Sequence, residues 1–254
     1  MFDMLIGQID RRRYLRKRPH ITRKKTVSKY CYALIAIFLF TACSNDILSS
    51  PDVETDLSAV TLSQAEALSY LALVNQNIRL SSDFSPNDLT VVNVLGDSQH
   101  LLRVTAAYAI EDLFHAALEE GGYFLLIVSA YRSYATQVAT HDQFIEEWGV
   151  VEARRISAQA GHSEHQLGLA VDISTLALGG QLSEAFSDSA EGHWVRENAH
   201  RFGFIVRYPQ NREADTGFVY EPWHLRYVGV DAATEMFYHG LILEEYLEII
   251  NDEA

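Results

Sequence analysis

His165, Asp172, Glu221 and His224 stand in two short segments, S-E-H-Q-L-G-L-A-V-D (163 to 172) and E-P-W-H (221 to 224). A catalytic zinc is commonly held by three protein ligands drawn from His and a carboxylate, with a fourth position left for the water that becomes the nucleophile. Two His and one Asp meet that count, and Glu221 is left over as a base. Each half alone has a plainer reading, since an H-x6-D recurs by chance and an E-x-x-H can be a surface ion pair. Their joint occurrence points to a zinc hydrolase.

The spacing dictates what must position these groups. A strand over residues 169 to 174 would let a loop ligand, His165, and a strand ligand, Asp172, converge, with Gly168 permitting the bend between them. Asp172 then points away from Val171 and Ile173, which fit a buried face. Pro222 and Trp223 argue against a helix, so Glu221 and His224 are expected on a loop entering a strand.

Apolar periodicity predicts helices over residues 64 to 77, 98 to 120, 136 to 148, 192 to 202 and 231 to 250, the second stopped by Gly121-Gly122. Strands are expected over 124 to 130, 169 to 174, 204 to 207 and 223 to 227. Helices followed by clustered strands imply an α+β domain, with helices packed on a small antiparallel sheet that bears the zinc site. His100, His115, His141, His193, His200 and His239 fall in helix-like stretches, and His162 matches no ligand position. Trp194, Phe202, Phe204, Tyr208 and Trp223 read as core and cleft walls.

The string G-H-S-E-H-Q-L-G-L-A-V-D-I (161 to 173) resembles the S-x-H-x-x-G-x-A-x-D signature of the D-alanyl-D-alanine carboxypeptidase family of zinc peptidases, the VanY-like group that includes L,D-carboxypeptidases. Further matches follow in the family's order: S-A-Y-R-S-Y-A-T-Q (129 to 137), W-V-R-E-N-A-H-R-F-G-F-I-V-R-Y-P (194 to 209) and E-P-W-H-L-R-Y-V-G (221 to 229). Ala130 and Ala160 depart from the family's usual Gly and Pro. The resemblance implies one Zn²⁺ on His165, Asp172 and His224, Glu221 as catalytic base, and a substrate pocket lined by Arg132 and Gln137, with Ser133 and Ser163 as weaker candidates. Arg132 suits a carboxypeptidase on chemical grounds too, because its fork binds a carboxylate or a developing oxyanion and stays charged. The fold implied is the one shared with the hedgehog signalling domain.

The implied substrate is a peptidoglycan stem peptide that loses its terminal D-alanine, by D,D cleavage of a pentapeptide or L,D cleavage of a tetrapeptide. A non-catalytic wall-binding module is the alternative, and Glu221, which a binder would not need, stands against it. Serine chemistry lacks a G-x-S-x-G or S-x-x-K motif.

Ten Lys and Arg precede residue 30, followed by an apolar run from Cys31 to Phe40 that ends in T-A-C-S. This reads as a signal peptide, its core shorter than the roughly 18 residues of a membrane span. Phe40-Thr41-Ala42-Cys43 resembles a lipoprotein cleavage box and implies lipidation of Cys43, with ordinary secretion or an uncleaved anchor as the other readings. Arg11-Arg12-Arg13 reads as a basic flank. The expected organisation is a leader (1–42), a Ser/Asp/Thr-rich tether (43–61) and a catalytic domain (62–254), lipid-anchored in a bacterial envelope and monomeric. The only cysteines, Cys31 and Cys43, lie in the leader region, so the domain has neither disulfide nor Cys nucleophile. From Cys43 onward ten Arg face thirty-two Asp and Glu, a net charge of −22 that disfavours nucleic acid as a partner.

Overall fold

The computed structural model describes residues 59–96 and 98–252. The leader, Cys43 and the tether through residue 58 lie outside the described residues. The last tether residues belong to the fold instead: β1 (Val60–Thr61) pairs in parallel with β2 (Ile78–Arg79).

Between these strands α1 (Gln64–Ala67) is opened by a capping box. Ser63 accepts from the Glu66 amide, and the Glu66 carboxylate accepts from the Ser63 amide at 2.8 Å. The helix expected to continue to residue 77 stops at once. Arg226 donates to the carbonyls of Tyr70 (3.0 Å) and Ala72 (2.8 Å), which a helix would direct at its own amides. Ala67, Ala72 and Val74 still reach the core.

The expected helix over 98 to 120 is also shorter. Its first residues form β4 (Leu101–Arg103), antiparallel to β3 (Leu89–Val91), and α2 (Val104–Gly121) begins only after them. His100 therefore lies outside any helix. Along α2 the residues Ala106, Ala107, Ile110, Leu113, Phe114 and Ala117 form one buried stripe, and Gly122 at φ 68° ends the helix. After β5 (Leu125–Ser129) come α3 (Tyr134–Trp148) and an unforeseen α4 (Val150–Ile156), separated by Gly149.

A 3₁₀ turn (Glu164–Leu167) leads into β6 (Ala170–Thr175). Then follow α5 (Ala185–Asp188), α6 (Ala190–Asn198) with a 3₁₀ turn over Ala199–Phe202, β7 (Phe204–Tyr208), α7 (Glu213–Thr216) and β8 (Glu221–Tyr227). The expected single closing helix is two, α8 (Val230–His239) and α9 (Leu243–Asp252), broken at Gly240 with φ 66°. Among the described residues no helix is long and apolar enough to cross a membrane.

The sheet that matters is antiparallel throughout, in the order β5-β6-β8-β7. Its core face carries Ile127, Val171, Ile173 and Leu225, packed with the stripe of α2 in one apolar cluster. The α+β architecture is the one expected. Every residue of β6 is buried, so Asp172 occupies an enclosed second face rather than an open one.

Candidate active site

Asp172 and His224 are direct partners in the β6–β8 register, which places both side chains on the same face at neighbouring strands. Glu221 is the first residue of β8 rather than part of a loop before it. The strand accommodates Pro222 because the ladder to β7 is irregular there: Tyr208 pairs with Glu221, the register shifts after Val206, and Pro222 has no ladder partner to lose.

The third residue arrives from the 3₁₀ turn. Gly168 closes that turn at φ 68°, and a Cβ on it would come within 2.9 Å of Leu89 Cδ2 and 3.1 Å of Arg103 Cγ. The segment that follows β5 then grips His165 from both sides: its Nδ1 bonds the Ala130 carbonyl at 2.7 Å, and its own carbonyl accepts from the Arg132 amide at 3.2 Å. Nε2 is thereby left facing the centre of the site.

His165, Asp172 and His224 are buried and can each offer one ligand atom within 4.8 Å of the others. His165 Nε2 lies 3.2 Å from Asp172 Oδ2, and His224 Nδ1 lies 3.0 Å from Asp172 Oδ1. Asp172 Oδ1 has no hydrogen-bond partner despite that proximity. Ligand atoms spaced in this way fit an ion between them, since tetrahedral bonds of 2.0–2.1 Å to zinc put ligand atoms about 3.3 Å apart. The residues present fit a zinc ion.

Glu221 Oε2 stands 3.7 Å from His224 Nδ1, beside this set and outside it. Burial, opposed by His224 and reinforced by Asp172, pushes the Glu221 carboxyl up to about 8 in the metal-free protein. Asp172 is held well below the usual carboxylate range: burial works against this, and the two imidazoles overcome it. Burial likewise pulls His165 down, whereas Asp172 and Glu164 overcome burial at His224 and hold it at about 9. Arg132 is lowered by burial while Asp172 and Glu221 support its charge, so it sits within the field of the site.

These groups line a cleft of about 320 Å³ together with Phe144, Ile156, Leu182, Phe218 and Trp223. Arg132 and Ser163 face it. Ser133 and Gln137, expected in the wall, are not among the lining residues. Ser133 caps α3 by accepting from the Thr136 amide, and Gln137 is buried behind Arg132. Gln137 Oε1 accepts from Arg132 Nε at 2.5 Å while its amide donates to the Ala158 carbonyl at 2.6 Å, so Gln137 orients the arginine.

A charged cluster behind His224 escaped the sequence reading. Glu164 Oε1 accepts from Arg207 Nε (2.8 Å) and Arg226 Nη1 (2.6 Å), all three side chains fully buried. The signal that could have exposed it is an arginine within each of the apolar strands I-V-R-Y and H-L-R-Y, since buried guanidinium groups require a carboxylate.

With the geometry in place, a family profile described as VanY, D-alanyl-D-alanine carboxypeptidase, matches residues 99–230. The chain belongs to the D-alanyl-D-alanine carboxypeptidase family. It is 44% identical over 183 residues to the putative carboxypeptidase YodJ of Bacillus subtilis (strain 168), a match spanning 70% of this chain and 67% of that one. Among solved structures it is similar to the LdcB LD-carboxypeptidase, with 42% identity and a TM-score of 0.69 over 75% of this chain and 90% of that one. It is also similar to the vancomycin-resistance D,D-pentapeptidase VanY of a VanB-type cassette, solved in complex with Zn(II), at 35% identity and a TM-score of 0.59 over 70% of this chain and 98% of that one. The chain is thus a metallopeptidase, and the expectation of one Zn²⁺ agrees with its donor set and with that relative.

Proposed function

We propose that the chain removes the terminal D-alanine from peptidoglycan stem peptides as a zinc-dependent carboxypeptidase. The convergence of His165, Asp172 and His224 in a cleft that Glu221 and Arg132 also line carries this reading. When bound, the ion supplies a polarised scissile carbonyl and a water of near-neutral pKa. Glu221 takes the proton of the attacking water and returns it to the leaving amine. Burial alone would leave Glu221 protonated at neutral pH, and a divalent charge on the adjacent donors favours the ionised form that a base needs.

Arg132, braced by Gln137, receives the peptide's terminal carboxylate or the developing oxyanion. Phe144, Ile156, Leu182, Phe218 and Trp223 form an apolar wall that accepts a methyl side chain and excludes water. Of the two cleavages, the greater likeness to an LD-carboxypeptidase than to a D,D-pentapeptidase supports the L,D reaction on tetrapeptide stems. We further propose export to a bacterial envelope and lipidation at Cys43, supported by the basic leader, the apolar run and F-T-A-C.

Incubating the zinc-loaded protein with tetra- and pentapeptide stems, with and without chelator, tests the reading. Release of D-alanine from the tetrapeptide, abolished by chelator and restored by zinc, is expected. Stoichiometric zinc with no D-alanine from either stem would instead indicate a binding module.

A further inference from the structure

We infer that Glu164 is a positioning residue: it determines which nitrogen of His224 is free for the metal. The inference rests on His224 being a ligand, as proposed above.

The His224 ring has two differently furnished edges. Nδ1 faces Asp172 Oδ1 at 3.0 Å and Glu221 Oε2 at 3.7 Å. Nε2 faces Glu164 Oε2 at 3.5 Å, and among the described residues neither of these two buried atoms has a hydrogen-bond partner. A neutral imidazole carries one N–H. A lone pair on Nε2 would confront a buried carboxylate oxygen 3.5 Å away, whereas an N–H there meets negative charge. The proton therefore belongs on Nε2, and the Nδ1 lone pair is turned to the other ligands. At 3.5 Å the influence is one of charge in a low dielectric rather than of a short bond.

Glu164 is held so that it cannot turn away. Its Oε1 takes Arg207 Nε and Arg226 Nη1. Arg207 is fixed in turn by Glu244 of α9 at 2.9 and 2.6 Å, and Arg226 by the carbonyls of Tyr70, Ala72 and Tyr227. With one oxygen pinned, the other is aimed at His224. The 3₁₀ turn that supplies one ligand, His165, thereby also orients the second.

Glu164→Gln is the decisive variant because it keeps the shape and reverses the sense of the contact. Both guanidinium groups are donors only, so the amide oxygen must remain with them and the NH₂ must face His224 Nε2. That arrangement favours a lone pair on Nε2 and places the proton on Nδ1, where the metal belongs. Zinc affinity, measured by competition with a chromophoric chelator, is expected to fall about 10–100-fold with the far-ultraviolet circular dichroism unchanged.

Glu244→Gln serves as control. It loosens Arg207 while Glu164 keeps its charge and its bond to Arg226, and should lower zinc affinity far less than Glu164→Gln does. In the zinc-loaded wild type, isotope-labelled histidine NMR should show the His224 proton on Nε2; this readout can overturn the inference even if Glu164→Gln fails to fold. A folded Glu164→Gln protein with wild-type zinc affinity, or a proton on Nδ1 in the zinc-loaded wild type, would overturn the inference alone. Wild-type protein binding zinc no better than His224→Ala would overturn the proposed function together with it.

Discussion

The two sides of the His224 ring carry charged clusters of opposite character. Toward the cleft, Asp172 Oδ1 lacks a hydrogen-bond partner, Glu221 is pushed up to about 8, and Arg132 is lowered by burial. On the far side, Glu164 and Glu244 face Arg207 and Arg226 in a neutral set whose hydrogen bonds are met, except at the one oxygen turned to His224. Polar groups left unsatisfied in a buried place cost stability, and around His224 that cost falls on Asp172 Oδ1 at the cleft and on the facing pair His224 Nε2 and Glu164 Oε2. The satisfied cluster provides rigidity instead, tying a ligand strand to the N-terminal segment and to the last helix.

The strongest way to break this contrast is to remove the residue both sides share. His224→Ala is expected to lose zinc on dialysis and to show no D-alanine release, as measured by metal content and product assay. Glu221→Gln should keep one zinc per chain and lower kcat by about 10²–10⁴-fold, the usual worth of a general base.

On the satisfied side, Arg226→Met leaves Glu164 short of one partner and should destabilise the fold by about 3–5 kcal/mol in urea unfolding. The cleft side should behave in the reverse manner when metal is absent. Glu221 has its pKa raised on folding, so the folded state binds the extra proton and stability falls as pH rises from the ordinary carboxylate range through about 8. Metal-free Glu221→Gln should therefore gain on the wild type across that window, by a few kcal/mol at its upper end. Smallest of all is Arg201→Ala, which breaks an ion pair with Glu120 whose side chains are 42% and 41% exposed, and should cost under about 1 kcal/mol.

How legible these regions were in the sequence follows from what each demands. Zinc chemistry fixes residue types and spacings, so His165, Asp172, Glu221 and His224 could be picked out before any fold was known. The sheet order could not, because β8 inserts between β6 and β7 through long-range pairing that leaves no local trace. Residues 68 to 77 misled as a helix because the core residues Ala67 and Val74 stand seven apart, a helical spacing, while the carbonyls of Tyr70 and Ala72 are claimed by an arginine some 150 positions away. Glu164 went unnoticed since an acid beside a metal motif resembles a solvated one, and Gln137 was read as facing substrate when its partner is Arg132.

The most direct test of the central claim is the anomalous map at the zinc edge from crystals of the zinc-loaded protein. A single peak about 2.0–2.2 Å from His165 Nε2, His224 Nδ1 and an Asp172 oxygen is predicted. A peak elsewhere, or none at those three atoms in fully loaded protein, would contradict it.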